Sequence, residues 1–170
     1  MINNSKGKRV NNSLHEIENT MLKNWPECAQ SMSSALLGML YFHEKFKKVV
    51  TDYVGEYNLQ EADFSVLVTL RRSPKPYCLS PTDIYKSMLF SSGGLTKVLR
   101  RLVESGLIER VENINDKRSR LVKLNARGKQ LVETLLPEVH VQQQSLLSGL
   151  SKAEVLQLER LLKKALAKHS

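Results

Sequence analysis

The stretch Ser80-Pro81-Thr82-Asp83-Ile84-Tyr85-Lys86-Ser87-Met88-Leu89-Phe90-Ser91-Ser92-Gly93-Gly94-Leu95-Thr96-Lys97-Val98-Leu99-Arg100-Arg101-Leu102-Val103-Glu104-Ser105-Gly106 decides the fold. Ser80 is an N-cap and Asp83 the acid of a capping box. Pro81 suits the first helical position, where a backbone N–H would go unbonded anyway. That helix ends near Met88. Ser91 can cap a second helix, in which Leu95, Val98, Leu99, Leu102 and Val103 recur at three- and four-residue spacing until Gly106 stops it. Two short helices joined across Leu89-Phe90-Ser91 have helix-turn-helix spacing.

After Gly106 the period changes. Leu107–Val111 and Leu121–Leu124 read as strands, separated by a polar loop from Glu112 to Arg120 that is rich in turn formers. A helix-turn-helix followed at once by a hairpin is a winged helix. The predicted fold class is therefore mainly α with a small β-hairpin. The helix-turn-helix lies at about 80–105 and the wing at about 107–125, inside a DNA-binding domain of 58–125.

Outward from this centre the pattern is helical. Gln60 to Arg72 is apolar nearly all round, and its acidic start favours a buried helix over a strand. A long helix is predicted from Ser31 to Tyr57. A shorter one follows the Ser13/Glu16 capping box and is stopped by Pro26. Downstream, Asn125 caps a helix running to about Leu150 with Pro137 inside it, and Ser151/Glu154 is a further capping box. Residues 13–57 and 126–170 carry apolar stripes that one small winged helix cannot cover, and they are read as a helical dimerisation region built from both chain ends. Residues 1–12 are polar and unpatterned, and are read as a disordered arm.

The chain has 170 residues, 41% hydrophobic and 25% charged, which suits one ordinary domain and excludes collagen-like and low-complexity classes. Met1 to Asn19 contain no apolar signal-peptide core. The longest uncharged run, Cys28 to His43, is 16 residues against the roughly 20 a membrane span needs. A cytoplasmic protein with no membrane partner is expected. Four scattered histidines and two cysteines fifty residues apart form no catalytic triad, metal set or phosphate loop, so neither enzyme activity, metal nor cofactor is expected.

Lys and Arg total 26 against 17 Asp and Glu, a net charge of +9. Between Arg71 and Arg127 lie 13 basic and five acidic residues, so nearly all the excess sits on the winged helix. This points to double-stranded DNA, with the second helix in the major groove and the wing tip at the minor groove. Ser91, Ser92, Gly93 and Gly94 let the backbone approach phosphate. Thr96 and Lys97 are expected to contact bases or phosphates, and Arg100 and Arg101 phosphates. Thr82 on the first helix and Lys117, Arg118 and Arg120 on the wing complete the set.

The run from Ser92 to Leu102, then Gly106-Leu107-Ile108-Glu109-Arg110, then Asp116-Lys117-Arg118-Ser119-Arg120 through Gly128, resembles the multiple-antibiotic-resistance regulator (MarR) family of bacterial transcription factors. The similarity covers about Ser33 to Lys168. It implies an obligate homodimer on a pseudo-palindromic operator. It also implies that Arg118 is the minor-groove arginine of the wing, braced by Asp116. The family's habit of ligand control implies a repressor released by a small aromatic or phenolic effector, with Met39, Tyr41, His43 and Met88 as candidate pocket residues. The peroxide-sensing branch has its reactive cysteine where Leu36 stands here. Cys28 and Cys78 are thus read first as inert thiols, with a redox-responsive regulator as an alternative. A protein-binding winged helix is the other alternative, which the basic recognition helix and wing disfavour.

Overall fold

The computed structural model describes residues 13–88, 94–114, 116 and 119–167. These fall into two compact units, one ending at Lys45 and the other beginning at Phe46.

The first unit begins with α1 (Leu14–Asn24), whose capping box is complete: the Ser13 hydroxyl accepts the Glu16 N–H at 3.2 Å, and Glu16 accepts the Ser13 N–H at 2.6 Å. Pro26 does more than stop this helix. The backbone leaves helical geometry at Trp25 (φ −151°) and Pro26 opens a second short helix, α2 (Pro26–Ser31). Proline is as well suited to a first turn as it is hostile to an interior. The long helix α3 (Ser34–Gly55) starts three residues later than predicted and continues into the second unit, where Val50 and Val54 are buried.

The second unit is organised around α4 (Glu61–Arg72). Val66, Leu67 and Leu70 are wholly buried and Phe64 nearly so, which fits the predicted central helix. Three strands form an antiparallel sheet in the order β1-β3-β2, with β1 at Cys78–Leu79, β2 at Ile108–Glu112 and β3 at Arg120–Leu124. The hairpin was legible. β1 was not, because two residues carry no alternation; it exists because Cys78 and Leu79 pair with Lys123 and Val122.

Helix α5 (Pro81–Ser87) begins at the predicted cap, with the Ser80 hydroxyl accepting the Asp83 N–H at 3.0 Å, but Asp83 accepts from that hydroxyl at 2.6 Å instead of closing a capping box on the Ser80 N–H. Helix α6 (Leu95–Glu104) starts later than expected. Gly94 is its N-cap rather than part of its first turn, at φ 92°, a left-handed conformation that a helix interior cannot contain. Ser91, Ser92 and Gly93 lie outside the described residues. Helix α7 (Ala126–Ser145) passes through Pro137 and stops short of the predicted Leu150, giving way to turns at Leu146–Leu150. Helix α8 (Lys152–Leu166) opens on the Ser151/Glu154 capping box. Ile84, Leu99, Leu102, Val122, Val132 and Leu135 share one core cluster with α4, so the recognition helix, sheet and α7 are packed together.

Candidate nucleic-acid interface

Helix α6 divides cleanly into two faces. Val98, Leu99 and Leu102 are buried, while Thr96, Lys97 and Arg100 project into solvent. This follows from the 3.6-residue period: 95, 98, 99 and 102 fall on one stripe, and 96, 97 and 100 fall outside it. Among the described residues Arg100 pairs with Glu104, an i,i+4 partner at 3.5 Å, and both side chains are more than half exposed. Such a pair is worth a few tenths of a kcal/mol at most, so a phosphate competes with it easily. Thr82 is exposed in the first turn of α5.

Arg101 is placed otherwise than expected. Its Nε donates to both carboxylate oxygens of Asp63 at 3.0 and 2.9 Å, and Nη2 donates to Oδ1 at 2.7 Å. Asp63 is 1% exposed. The physical reason is position: residue 101 sits beside the buried stripe, and its fork matches a carboxylate in bidentate geometry. The same ion pair raises the Arg101 pKa further. Sequence reasoning missed Asp63. The available signal was a carboxylate in the first turn of a largely apolar helix, which was read only as part of an acidic helix start.

In the wing, Glu109 and Lys123 face each other across β2 and β3, 2.9 Å apart, and Glu109 raises the Lys123 pKa. Near the tip, the Asn113 amide donates to the Ser119 hydroxyl at 2.9 Å. The Asp116 N–H donates to the Asn113 carbonyl and the Ser119 N–H to the Asp116 carbonyl. Arg120 is exposed at the first position of β3. Lys117 and Arg118 lie outside the described residues. Asn125 anchors the base of the wing: its Nδ2 donates to the Gly106 carbonyl, and its Oδ1 accepts the Gly128 N–H, both at 2.9 Å. It therefore ties the end of α6 to the start of α7 while capping the latter.

Of the other candidates, Met39, Tyr41 and His43 belong to the first unit and Met88 to the second. Met39 is exposed on α3, Tyr41 lies 4.9 Å from the Lys45 ammonium, and His43 is half-buried. Met88 packs against the core. None of the four lines the cavity of about 250 Å³ that lies among α3, α4 and α7. Its walls are Phe46, Val50, Phe64, Val68, Leu136 and Val139, with Glu61, Ser65, Thr69, Arg72, His140 and Gln143 as the polar lining. The two cysteines are not joined in a disulfide. Burial pushes the Cys78 thiol pKa up, the reverse of what a reactive thiol needs, although Lys123 opposes the shift. Among the described residues no His, Cys, Asp and Glu cluster could hold a metal ion, and no helix is long and apolar enough to cross a membrane.

Residues 57–119, which run from the turn before α4 through the recognition helix into the wing, match the model of the MarR family. Over 128 residues the chain is 35% identical to the multiple antibiotic resistance protein MarR of Escherichia coli, a match covering 73% of this chain and 85% of that protein. The chain belongs to the MarR family. It is a transcriptional regulator of that family. Among solved structures it is similar to a mutant MarR from Escherichia coli complexed with operator DNA, with 30% identity, a TM-score of 0.63, and coverage of 86% of this chain and 97% of that one. It is also similar to Bordetella bronchiseptica BpsR, whose DNA binding is regulated by 6-hydroxynicotinic acid; identity is 25%, TM-score 0.67, and coverage 78% of this chain and 98% of that one. The MarR-family match includes both faces of α6 and the Asp63–Arg101 pair.

Proposed function

We propose that this MarR-family chain is a homodimeric repressor that binds a pseudo-palindromic operator in double-stranded DNA and is released by a small aromatic acid. The observation that carries the reading is the exposed face of α6, where Thr96, Lys97 and Arg100 stand opposite a buried apolar face. In a major groove Thr96 and Lys97 meet base edges and Arg100 meets phosphate. Gly94 lets the backbone approach, and Thr82 and Arg120 extend the surface to either side. Ser91, Ser92, Gly93, Lys117 and Arg118 join it on the sequence reading alone, with Arg118 at the minor groove and Asp116 beside it. Arg101 is withdrawn from the set because its fork is occupied by Asp63. The operator complex of the related MarR supports this reading.

Large apolar side chains are left in solvent toward both chain ends: Leu22, Trp25, Leu36 and Leu40 on one side, Leu156 and Leu161 on the other, each at least 49% exposed. A second copy is the natural cover for such rows. The effector is assigned to the cavity among α3, α4 and α7, in place of Met39, Tyr41, His43 and Met88. Its size suits a single ring, its walls are apolar, and Arg72 and His140 supply donors for a carboxylate. Regulation of BpsR by an aromatic acid supports that ligand class.

The test is fluorescence anisotropy on a duplex from the DNA flanking the protein's own gene, against a scrambled duplex, at about 0.15 M salt. A preference of roughly a thousandfold or more is expected, with half-sites about 10 bp apart. Titrating single-ring aromatic acids into the complex should release the DNA. Equal weak binding to both duplexes, with no sequence enriched from a random pool, would overturn the reading.

A further inference from the structure

We infer that Asp63 is a positioning residue for operator recognition: its buried carboxylate grips Arg101 and so sets the rotation of the recognition helix. The inference rests on the DNA-binding reading above and adds a residue that touches no DNA.

The buried face of α6 is held by contacts of a different kind, and Asn125 ties only the chain just beyond its C-terminal end. Val98, Leu99 and Leu102 pack into the core through apolar side chains, which resist separation but fix the helix's angle about its own axis only loosely. A turn of about 20° moves side-chain tips by on the order of 2 Å at a helix radius of 5–6 Å. That displacement exceeds the tolerance of a hydrogen bond to a base edge, which fails beyond about 3.5 Å. The Asp63–Arg101 fork resists such a turn. It has three N–H···O contacts of 2.7 to 3.0 Å from two donor nitrogens, and so defines a direction. Asp63 is itself held, because its Oδ2 accepts the Gln60 N–H at 2.8 Å at the start of α4. A carboxylate that is 1% exposed cannot exchange this partner for water.

An alternative role for Arg101, direct contact with phosphate, predicts the opposite sign. There Asp63 would be a competitor, and removing its charge would free the arginine and strengthen binding. With Arg101 as half of an ion pair, its charge is already matched by Asp63, although a third of its side chain stays exposed.

The experiment is Asp63→Asn, nearly isosteric, measured by anisotropy on operator and scrambled duplexes over a salt series, with circular dichroism and thermal melting as fold controls. The expected result is a fall in operator affinity of at least about tenfold with no fall in affinity for the scrambled duplex, so that the specificity ratio collapses. Arg101→Lys keeps the charge but lacks the fork. It should lose operator affinity in the same way with the salt slope unchanged, and it carries the test if Asp63→Asn does not fold. Operator binding by Asp63→Asn equal to or tighter than wild type overturns the inference. An equal loss on both duplexes also overturns it, since that marks a pair that only stabilises the fold. Full operator affinity in Arg101→Lys does so too. A wild-type protein that fails to discriminate the duplexes overturns the functional reading first and this inference with it, whereas a variant effect on a discriminating wild type concerns Asp63 alone.

Discussion

Gly128 lies where the helix-turn-helix, the wing and α7 converge. A Cβ added there would stand 2.1 Å from the Leu107 carbonyl oxygen, a backbone atom that cannot swing aside, and 2.9 Å from Leu124. Gly128→Ala is expected to destabilise the protein by about 2–4 kcal/mol in urea titration, whereas Gly55→Ala, with open space around it, should be near neutral. Cys78 gives a second expectation at this scale. Its thiol pKa is raised chiefly by burial. At pH 7 it should react with iodoacetamide several-fold more slowly than free cysteine, and Cys78→Ser should leave peroxide without effect on DNA binding. Rapid alkylation of Cys78 would restore the redox alternative. The residues that face solvent on α6 were legible because the helical period assigns them. Asp63 and Arg101 were not, since whether two charges 38 positions apart meet is a matter of packing.

Elements were read well where their signals are local. Capping residues Ser13, Ser80, Asn125 and Ser151 all bond the N–H they were expected to bond. Errors arose where partners decide: β1 exists only through β3, and Gly94 bends into left-handed geometry before α6. Between elements, Glu133 on α7 accepts Lys129 at 2.9 Å and Arg71 of α4 at 2.6 Å. These donors, Lys129 first and then Arg71, hold its pKa below the ordinary 4.5. The folded value lies below the unfolded one, so the pair contributes stability above about pH 4.5 that is lost as pH falls through the folded value. Glu154 is lowered in the same sense by the Ser151 N–H and hydroxyl. Urea midpoints should therefore fall from pH 6 to pH 3.5, and Glu133→Gln should reduce that fall. An identical pH dependence in the variant would show the links contribute nothing. The effect should be modest, because these groups are solvent-exposed and screened.

For the whole molecule the question is what covers the apolar rows. Leu156 is 65% exposed and Leu161 49% exposed on α8, a helix with no buried residue among those described. Leu156→Lys with Leu161→Lys is expected to shift the protein from dimer to monomer in sedimentation velocity at micromolar concentration. Operator affinity should then drop by a hundredfold or more as the second half-site is lost. Retention of the dimer would place the interface elsewhere.

By itself the sequence determined the helix starts capped by Ser13, Ser80, Asn125 and Ser151, the hairpin, the two faces of the recognition helix and the concentration of positive charge on one motif. Each of these depends on residues within a few positions of one another, so period and capping chemistry settle them. Only the tertiary structure decided that Arg101 turns inward to Asp63, that Gly128 lies against the Leu107 carbonyl, and that the cavity lies among α3, α4 and α7. Those outcomes depend on which distant side chains share a buried volume, where close packing and the cost of an unpaired charge select the partner.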